Sequence, residues 1–512
     1  MATAVPSEER PLKWAKVIDH GRCIGCHACT TACKSENEVP LSVTRTYVKY
    51  VDVGFFPQAR RAFQVTRCNQ CENAPCAAAC PTSAMHRRPD GIVDFDKSIC
   101  IGCKACMAAC PYDAIFINPD DHSAEKCNFC AHRIDVGLEP ACVVVCPTEA
   151  ILVGDLNDPD SKVNQLVHRE PVAVRRPEKD TNPKLFYKGV HQATLDPIAA
   201  RRPEGDLFMW SEQSSGPHSV VSGQPAAGPA NSSAAAILAY DVAHSIPWDW
   251  RVSAYTLTKG IASGAYVVPA LLLLAGVIGE LSLLWRWAAP VVAALFLAVT
   301  GVLLIWDLEH PARFYMIFTR PQWRSWLVRG AFIIAGYGAV LGAHFAAELI
   351  GASGVTRPLI WAGLPLAVMT AVYTAYLFAQ SKARDLWQNP LLPAHFLVQA
   401  VLGGSAALAV FAAVWEPAAL RPLLWTLAGS SLVHLLLVLG EVTLSHPTAH
   451  ARLAAWEMVR GRYGRYFRVS VVLLALTIAA PWIGVLAAPL AIVGLFAHEH
   501  AYVQAGQAVP LA

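Results

Sequence analysis

The placement of cysteine constrains this chain more than any other feature. All 16 cysteines lie between Cys23 and Cys146, and the remaining two thirds of the 512 residues carries none. They fall into four groups: Cys23, Cys26, Cys29 and Cys33; Cys68, Cys71, Cys76 and Cys80; Cys100, Cys103, Cys106 and Cys110; and Cys127, Cys130, Cys142 and Cys146. The segment ahead of Cys23 has neither the apolar core nor the twin arginine of an export signal, so this region is expected to fold in a reducing compartment. There, reduced thiols in fours point to metal rather than to a disulfide framework.

The spacing selects the metal. The first and third groups follow C-x2-C-x2-C-x3-C, and a proline follows the last cysteine of the second, third and fourth groups, at Pro81, Pro111 and Pro147. This is the bacterial ferredoxin run, in which three thiolates close on one 4Fe-4S cube and the fourth reaches a neighbouring one. Sixteen ligands suffice for four cubes. A zinc ribbon needs two separated C-x2-C pairs and has no use for a third cysteine two residues further on. A 3Fe-4S cluster would leave a cysteine missing, and none is. Short β-prone stretches, GIVDFD at 91–96 and AIFIN at 114–118, flank the cysteine loops, which predicts a small duplicated βαββαβ module. Ile101, Ala108 and Ala109 are expected to pack against a cube and keep water away. No catalytic constellation is visible in this region.

The order of the groups, with an eleven-residue gap only in the last, resembles the iron-sulfur subunit of the dimethyl sulfoxide reductase and polysulfide reductase family of molybdenum enzymes, over about residues 13–190. The resemblance implies that the groups pair first with fourth and second with third, each lending its last cysteine to the other. One cluster would then take Cys23, Cys26, Cys29 and Cys146, and its neighbour Cys127, Cys130, Cys142 and Cys33. The inner pair would use Cys68, Cys71 and Cys76 with Cys110, and Cys100, Cys103 and Cys106 with Cys80.

A content of 54% hydrophobic and 15% charged residues, with mean hydropathy +0.37, is too apolar for a soluble enzyme of this size. The net charge of +3 gives no reason to expect a nucleic-acid partner. Residues 1–190 read as the ferredoxin-like domain, 191–240 as a polar linker rich in Gly, Pro and Ser, and 241–512 as a membrane domain. Apolar runs occur at about 261–278, 288–308, 326–350, 359–380, 395–415 and 423–444, each near the ~20 residues that cross a bilayer. A last run at 469–497 is long for one helix and short for two. The predicted fold class is therefore an α+β duplicated ferredoxin-like iron-sulfur domain followed by an all-α polytopic domain of seven or eight helices, eight being favoured.

Lys259, Arg313, Arg320, Arg324, Arg329, Lys382, Arg384, Arg452, Arg460, Arg462, Arg465 and Arg468 are placed on the side of the iron-sulfur domain, against Arg286, Arg357 and Arg421 on the other. By the positive-inside rule the clusters face the cytoplasm, from the cell's inner membrane. Ionisable residues inside apolar runs mark proton or substrate paths. Lys259, Asp307, His395 and Glu441 are the candidates for a quinone site, with His344, Glu348 and His434 on the proton path.

Three stretches, LLIWDLEHPARFYMIFTRPQWRSWLVRG, SKARDLWQNPLLPAHFLVQA and GEVTLSHP, resemble the NrfD-like membrane subunits of polysulfide reductases, with Glu309 and His310 standing where that family usually has Gly-Arg. The resemblance implies exchange of electrons and protons with quinone, either menaquinone or ubiquinone, and no haem. Together the two resemblances imply an electron-transfer and anchor subunit relaying electrons between a molybdenum or tungsten pterin catalytic subunit and membrane quinone, within lipid. Two alternatives remain at this stage: a haem relay using His344, His395 and His434, or a redox-driven ion-translocating module.

Overall fold

The computed structural model describes residues 11–54, 57–201 and 236–512; the Gly, Pro and Ser-rich core of the expected linker, near 211–233, lies outside the described residues. The chain separates into two units, one reaching to Ser245 and including Pro510–Ala512, the other Ile246–Val509.

The first unit is built from small sheets. Its strands are β1 (Trp14–Asp19), β2 (Thr46–Val53), β3 (Arg60–Arg67), β4 (Met85–Arg87), β5 (Val93–Phe95), β6 (Ile115–Ile117), β7 (Ala124–Lys126), β8 (Ile151–Asp155), β9 (Val172–Ala173), β10 (Leu185–Lys188) and β11 (Ala236–Tyr240). One sheet has the order β8-β1-β10-β9, with β1 parallel to β10 and antiparallel to β8. A second has the order β11-β2-β3. The pairs β4-β5 and β6-β7 are isolated hairpins, and they contain the two β-prone stretches read from the sequence. Two-stranded ribbons are marginal on their own, and the buried cluster between them consists largely of cysteines with Met85, Val93, Met107 and Ile115. Both described ends of the expected linker are structured: a helical turn at Gln192–Leu195, and β11, which pairs antiparallel with β2.

In the second unit, seven helices are long and apolar enough to cross a membrane. We label the helices α1 (Trp250–Leu274), α2 (Ala289–Trp306, entered through a π turn at Leu284–Ala288), α3 (Trp326–Leu349), α4 (Thr356–Gln380), α5 (Leu392–Trp415), α6 (Pro417–Thr443), α7 (Gly464–Thr477) and α8 (Ala487–Gln507). A shorter helix, Ala449–Val459, lies between α6 and α7.

At 14 residues α7 is too short to span by itself, but Ala480–Ile483 continues it. Ser431 of α6 meets Thr477 at 2.5 Å, and Trp425, nearer the start of α6, meets Trp482. This segment therefore runs beside α6 back to Trp425, eight residues from the start of that helix. The other end gives the parity: the Trp248 backbone N–H, just before α1, donates to Gln507 Oε1 at the end of α8. The unit thus starts and finishes at one end of the bundle, which requires an even number of crossings, and α7 with its continuation is the eighth.

The structure corrects two details of the span reading. The first helix begins at Trp250, well before the apolar run, because Ser253, Thr256 and Lys259 are buried and hydrogen-bonded within the bundle. For the same reason Lys259 is not a loop charge: its ammonium donates to Ala371 O and Thr374 Oγ1 of α4, both at 2.7 Å. Arg384 is likewise buried, donating to the carbonyls of Gln507 and Val509.

Candidate functional site: cysteine loops and a membrane cavity

Each cysteine group sits on a loop that turns left-handed and then enters a short helix. In Cys23-Ile-Gly-Cys26-His-Ala-Cys29 and Cys100-Ile-Gly-Cys103-Lys-Ala-Cys106 the same two positions are left-handed: Gly25 and Gly102 at φ 69° and 68°, His27 and Lys104 at 59° and 60°. In the other two groups Gln70 and Phe129 take the glycine's place at φ 47° and 67°. Glycine adopts this conformation without strain, and at Gly25 a Cβ would also meet the Phe63 ring at 2.4 Å. In the first and third groups the two left-handed residues thus fall within three positions of the loop. The helices Ala28–Glu36, Pro75–Ala79, Ala105–Ala109 and Ala141–Val144 then carry the later cysteines of each group.

The groups cross in space. Cys33 is within electrostatic reach of Cys127, Cys130 and Cys142, and Asn37 Nδ2 lies 3.7 Å from both Cys33 Sγ and Cys130 Sγ. Cys23 and Cys29 neighbour Cys146. Cys110 neighbours Cys68, Cys71 and Cys76. Cys80, Cys100, Cys103 and Cys106 line one cavity together with Ile101. Neighbours also cross between these sets, Cys29 with Cys142 and Cys106 with Cys76, so the groups adjoin in pairs.

Their spacing separates zinc from iron-sulfur. Four thiolates around one zinc at 2.3 Å sit about 3.8 Å apart, whereas a cube holds each sulfur on a different corner iron and keeps them wider. Among the described residues no three cysteine sulfurs come within 4.8 Å of one another. The cysteines therefore fit cubes. Main-chain N–H groups support the thiolates: Met85 N to Cys80 Sγ at 3.3 Å, Ala124 N to Cys100 Sγ at 3.4 Å, and Ala150 N to Cys146 Sγ at 3.2 Å. Burial pushes most of these thiols up, Cys29 to about 11. At Cys142 burial is outweighed by the Arg67 guanidinium and the Lys16 ammonium, which bring the thiol down to about 7. Arg67 Nη1 is 2.9 Å and Lys16 Nζ 3.7 Å from that sulfur.

The seven membrane candidates divide into several places. His395 and Glu441 line a cavity of about 310 Å³ together with Asp385, Asn389, Ser445 and His446. Asn389 Nδ2 donates to Glu441 Oε1 at 3.2 Å. Behind the cavity, His395 Nε2 and His434 Nδ1 are 2.9 Å apart. Lys259 faces Glu499, which Thr256 and Gln399 hydrogen-bond. Asp307, at the end of α2, is 3.8 Å from Arg251 and does not line the cavity.

His344 and Glu348 are elsewhere. The start of α3 is tied to the end of α4 by Trp326 N to Gln380 Oε1, and α4 leads directly to α5, near whose start His395 lies. Eighteen residues along α3, His344 is about 27 Å from that end. There it packs against Trp285 and Tyr266, while Glu348 accepts from Arg286 Nε at 2.6 Å. His395 and His434 bond each other directly, so in this geometry they do not stand as the two axial ligands of one haem.

Sequence reading missed His498, Glu499 and Asn389. His498 completes a trio with His395 and His434, whose ring centroids are 4.7–5.3 Å apart. The signal was present: an apolar run drawn to Ala497 stops one residue before His498-Glu499-His500.

Comparison with known proteins agrees with both halves. Residues 59–156 match a 4Fe-4S dicluster domain, and residues 240–511 match the family described as polysulphide reductase, NrfD. The B subunit of tetrathionate reductase from Salmonella typhimurium is 40% identical over 208 residues, 39% of this chain and 80% of the relative. The thiosulfate reductase electron transfer subunit PhsB of Salmonella typhi is 46% identical over 132 residues, 25% of this chain and 69% of its own. The NrfC homologue of Haemophilus influenzae is 42% identical over 182 residues, 35% of this chain and 81% of its own. Since the membrane match covers more than half of its length, this protein belongs to the polysulphide reductase NrfD family, as a multi-pass membrane protein with an electron-transferring 4Fe-4S domain on the same polypeptide.

Proposed function

We propose that this chain relays electrons through four 4Fe-4S clusters between a molybdenum or tungsten pterin oxidoreductase subunit and quinone. The observation that carries the reading is the cavity in which His395 and Glu441 converge, each connected to further buried polar groups. A quinone takes two electrons and two protons to become a quinol, so its site needs groups that pass protons beside a path for electrons. Glu441 and His395 would hold or accept those two protons, Asn389 orients Glu441, and the apolar wall at Leu386, Leu437 and Leu444 excludes water. A volume of about 310 Å³ is in the range of small-molecule sites. When bound, the clusters supply one-electron steps, and the chain's crossed cysteines hold them as neighbours.

The partner is inferred from the resemblance and from relatives named as subunits of tetrathionate and thiosulfate reductases. The cytoplasmic orientation is supported by Arg313, Arg320 and Arg324 between α2 and α3, by Arg329 in the first turn of α3, and by Arg452, Arg460, Arg462, Arg465 and Arg468 after α6. At the opposite end, Arg286 and Arg357 are paired with Glu348 and Glu280.

The test is anaerobic and uses the full chain in nanodiscs. Chemically reduced clusters are mixed with a soluble quinone analogue, and their reoxidation is followed by EPR. The wild type is expected to reoxidise, and His395→Ala and Glu441→Gln are expected to slow this about 100-fold, the low end of general acid–base contributions. Clusters that stay reduced with quinone present, or variants as fast as wild type, would remove the cavity from the reaction.

Ion translocation stands beside this reading on one observation. At the far end of the bundle Tyr266 Oη, Trp285 Nε1, both His344 nitrogens and Glu348 Oε1 are buried without a hydrogen-bond partner. Such a group is where ordered water collects. Proteoliposomes with a trapped pH indicator would report proton movement coupled to quinone turnover; its absence in an active preparation excludes this second reading.

A further inference from the structure

The trio behind the cavity has a property that quinone chemistry does not require. His395 comes from α5, His434 from α6 and His498 from α8, and all three are at least 96% buried. One ligand-capable nitrogen from each lies within 4.8 Å of the others. Their hydrogen bonding is incomplete: His395 and His434 share one bond, while His434 Nε2 and His498 Nδ1 have no partner. An unpaired polar atom in a membrane-spanning bundle costs free energy, so two such atoms within one cluster call for a ligand.

We infer that His395, His434 and His498 form a binding site for a single borderline divalent cation of the Zn²⁺ class. Imidazole nitrogen suits Zn²⁺, which bonds it at 2.0–2.1 Å and so sets tetrahedral ligands about 3.4 Å apart. The trio's separations, 2.9 Å for the bonded pair and up to 4.8 Å across the set, bracket that value. Three protein ligands leave a fourth position open. Two carboxylates stand near the trio: Glu499, which adjoins His498 and also faces Lys259, and Glu441, in electrostatic reach of Glu499. Entry is through the cavity, which His395 lines and which Asp385 and His446 flank.

The cation takes from His395 the nitrogen lone pair that a proton would use, so it shuts the cavity's proton transfer. The binding stands on the trio's geometry alone, whereas the inhibition rests on the quinone reading.

The experiment uses the full, cluster-loaded chain in nanodiscs under anaerobic conditions, titrated with zinc sulfate and desalted. Metal is counted by mass spectrometry, and the zinc environment is read by X-ray absorption. One zinc per chain is expected, with nitrogen neighbours near 2.0–2.1 Å and no sulfur near 2.3 Å. His434→Gln and His498→Gln are each expected to weaken retention at least about 100-fold, the upper end of what even an outer-shell partner costs. Unchanged iron content and cluster EPR verify that these variants are folded. No retained zinc, a sulfur shell, or equal retention in folded variants overturns the site; the absorption spectrum of the wild type decides this even if both variants misfold. Reoxidation by quinone is then measured with and without zinc. At least tenfold slowing is expected, and an undiminished rate with zinc bound overturns the inhibition. If quinone fails to reoxidise the clusters without zinc, the quinone reading fails and the metal count still stands.

Discussion

Arg67 shows how much one residue decides. It is fully buried, and its guanidinium reaches Cys142 while remaining in electrostatic range of Cys29 and Cys127, members of both outer groups. A positive charge favours the more negative, reduced form of a cluster. Arg67→Met is therefore expected to lower the potential of the cluster held by Cys142 by about 60–130 mV, the equivalent of a charged hydrogen bond worth ~1.5–3 kcal/mol, measured by EPR-monitored redox titration. His244 gives a pH prediction. Burial alone would lower its pKa, but Asp241 and Asp113, at 3.1 and 2.6 Å, raise it to about 9. Because the folded value lies above the unfolded one, this stabilisation is complete below about pH 6.5 and is lost as pH rises through about 9. The temperature at which cluster absorbance disappears should fall by roughly 5–10 °C over that window, and His244→Gln should flatten the dependence. At this scale the cysteines were legible because cluster ligation dictates their spacing along the chain. His498 showed only as an ionisable residue abutting an apolar run; its role was hidden, since what recruits it is convergence with residues 64 and 103 positions away, and no local periodicity encodes that.

Among the elements, the α1–α5 crossing depends most on side-chain size. A Cβ at Gly264 would stand 1.8 Å from Ala400 O, and one at Gly404 would stand 2.2 Å from the Gly264 carbonyl carbon. Small residues at such a crossing let the backbones touch and gain dispersion contact that lipid cannot replace. Gly264→Ala must part the two helices and is expected to cost about 1–3 kcal/mol, seen as an earlier loss of the monodisperse peak on heated size-exclusion chromatography. Gly342→Ala, where a Cβ meets nothing within 4 Å, is expected to be neutral or to stabilise by up to ~1 kcal/mol. Helix existence was readable from apolar length, but helix starts were not. The 250–260 segment carries Lys259 and several hydroxyls whose partners are on other helices, so hydropathy places them outside the membrane unit. The eighth crossing is similarly hidden, because it is assembled from α7 and a separate turn at Ala480–Ile483.

For the whole molecule, the four cubes proposed above predict about 16 iron atoms per chain, and Cys71→Ser should remove about four of them, by iron assay and by loss of one EPR component. Sidedness has its own test: impermeant thiol labelling of a single cysteine introduced at Arg320 should occur in inverted vesicles and fail in right-side-out ones. That an iron-sulfur region precedes an all-helical membrane region was legible because two solvents, water and lipid, select opposite compositions. The return of Ala236–Tyr240 onto β2 was not, because five residues after a polar stretch carry no mark of their partner strand. That strand has a consequence for synthesis. The three-stranded sheet cannot be completed until the ribosome has made Tyr240, and Trp250, the first residue of α1, follows only ten positions later. At ~5–20 residues per second that interval is about 0.5–2 s. Completing this sheet and handing the first span to the insertion machinery are therefore nearly simultaneous, so a nascent chain delivered to the membrane early arrives with its sheet still open.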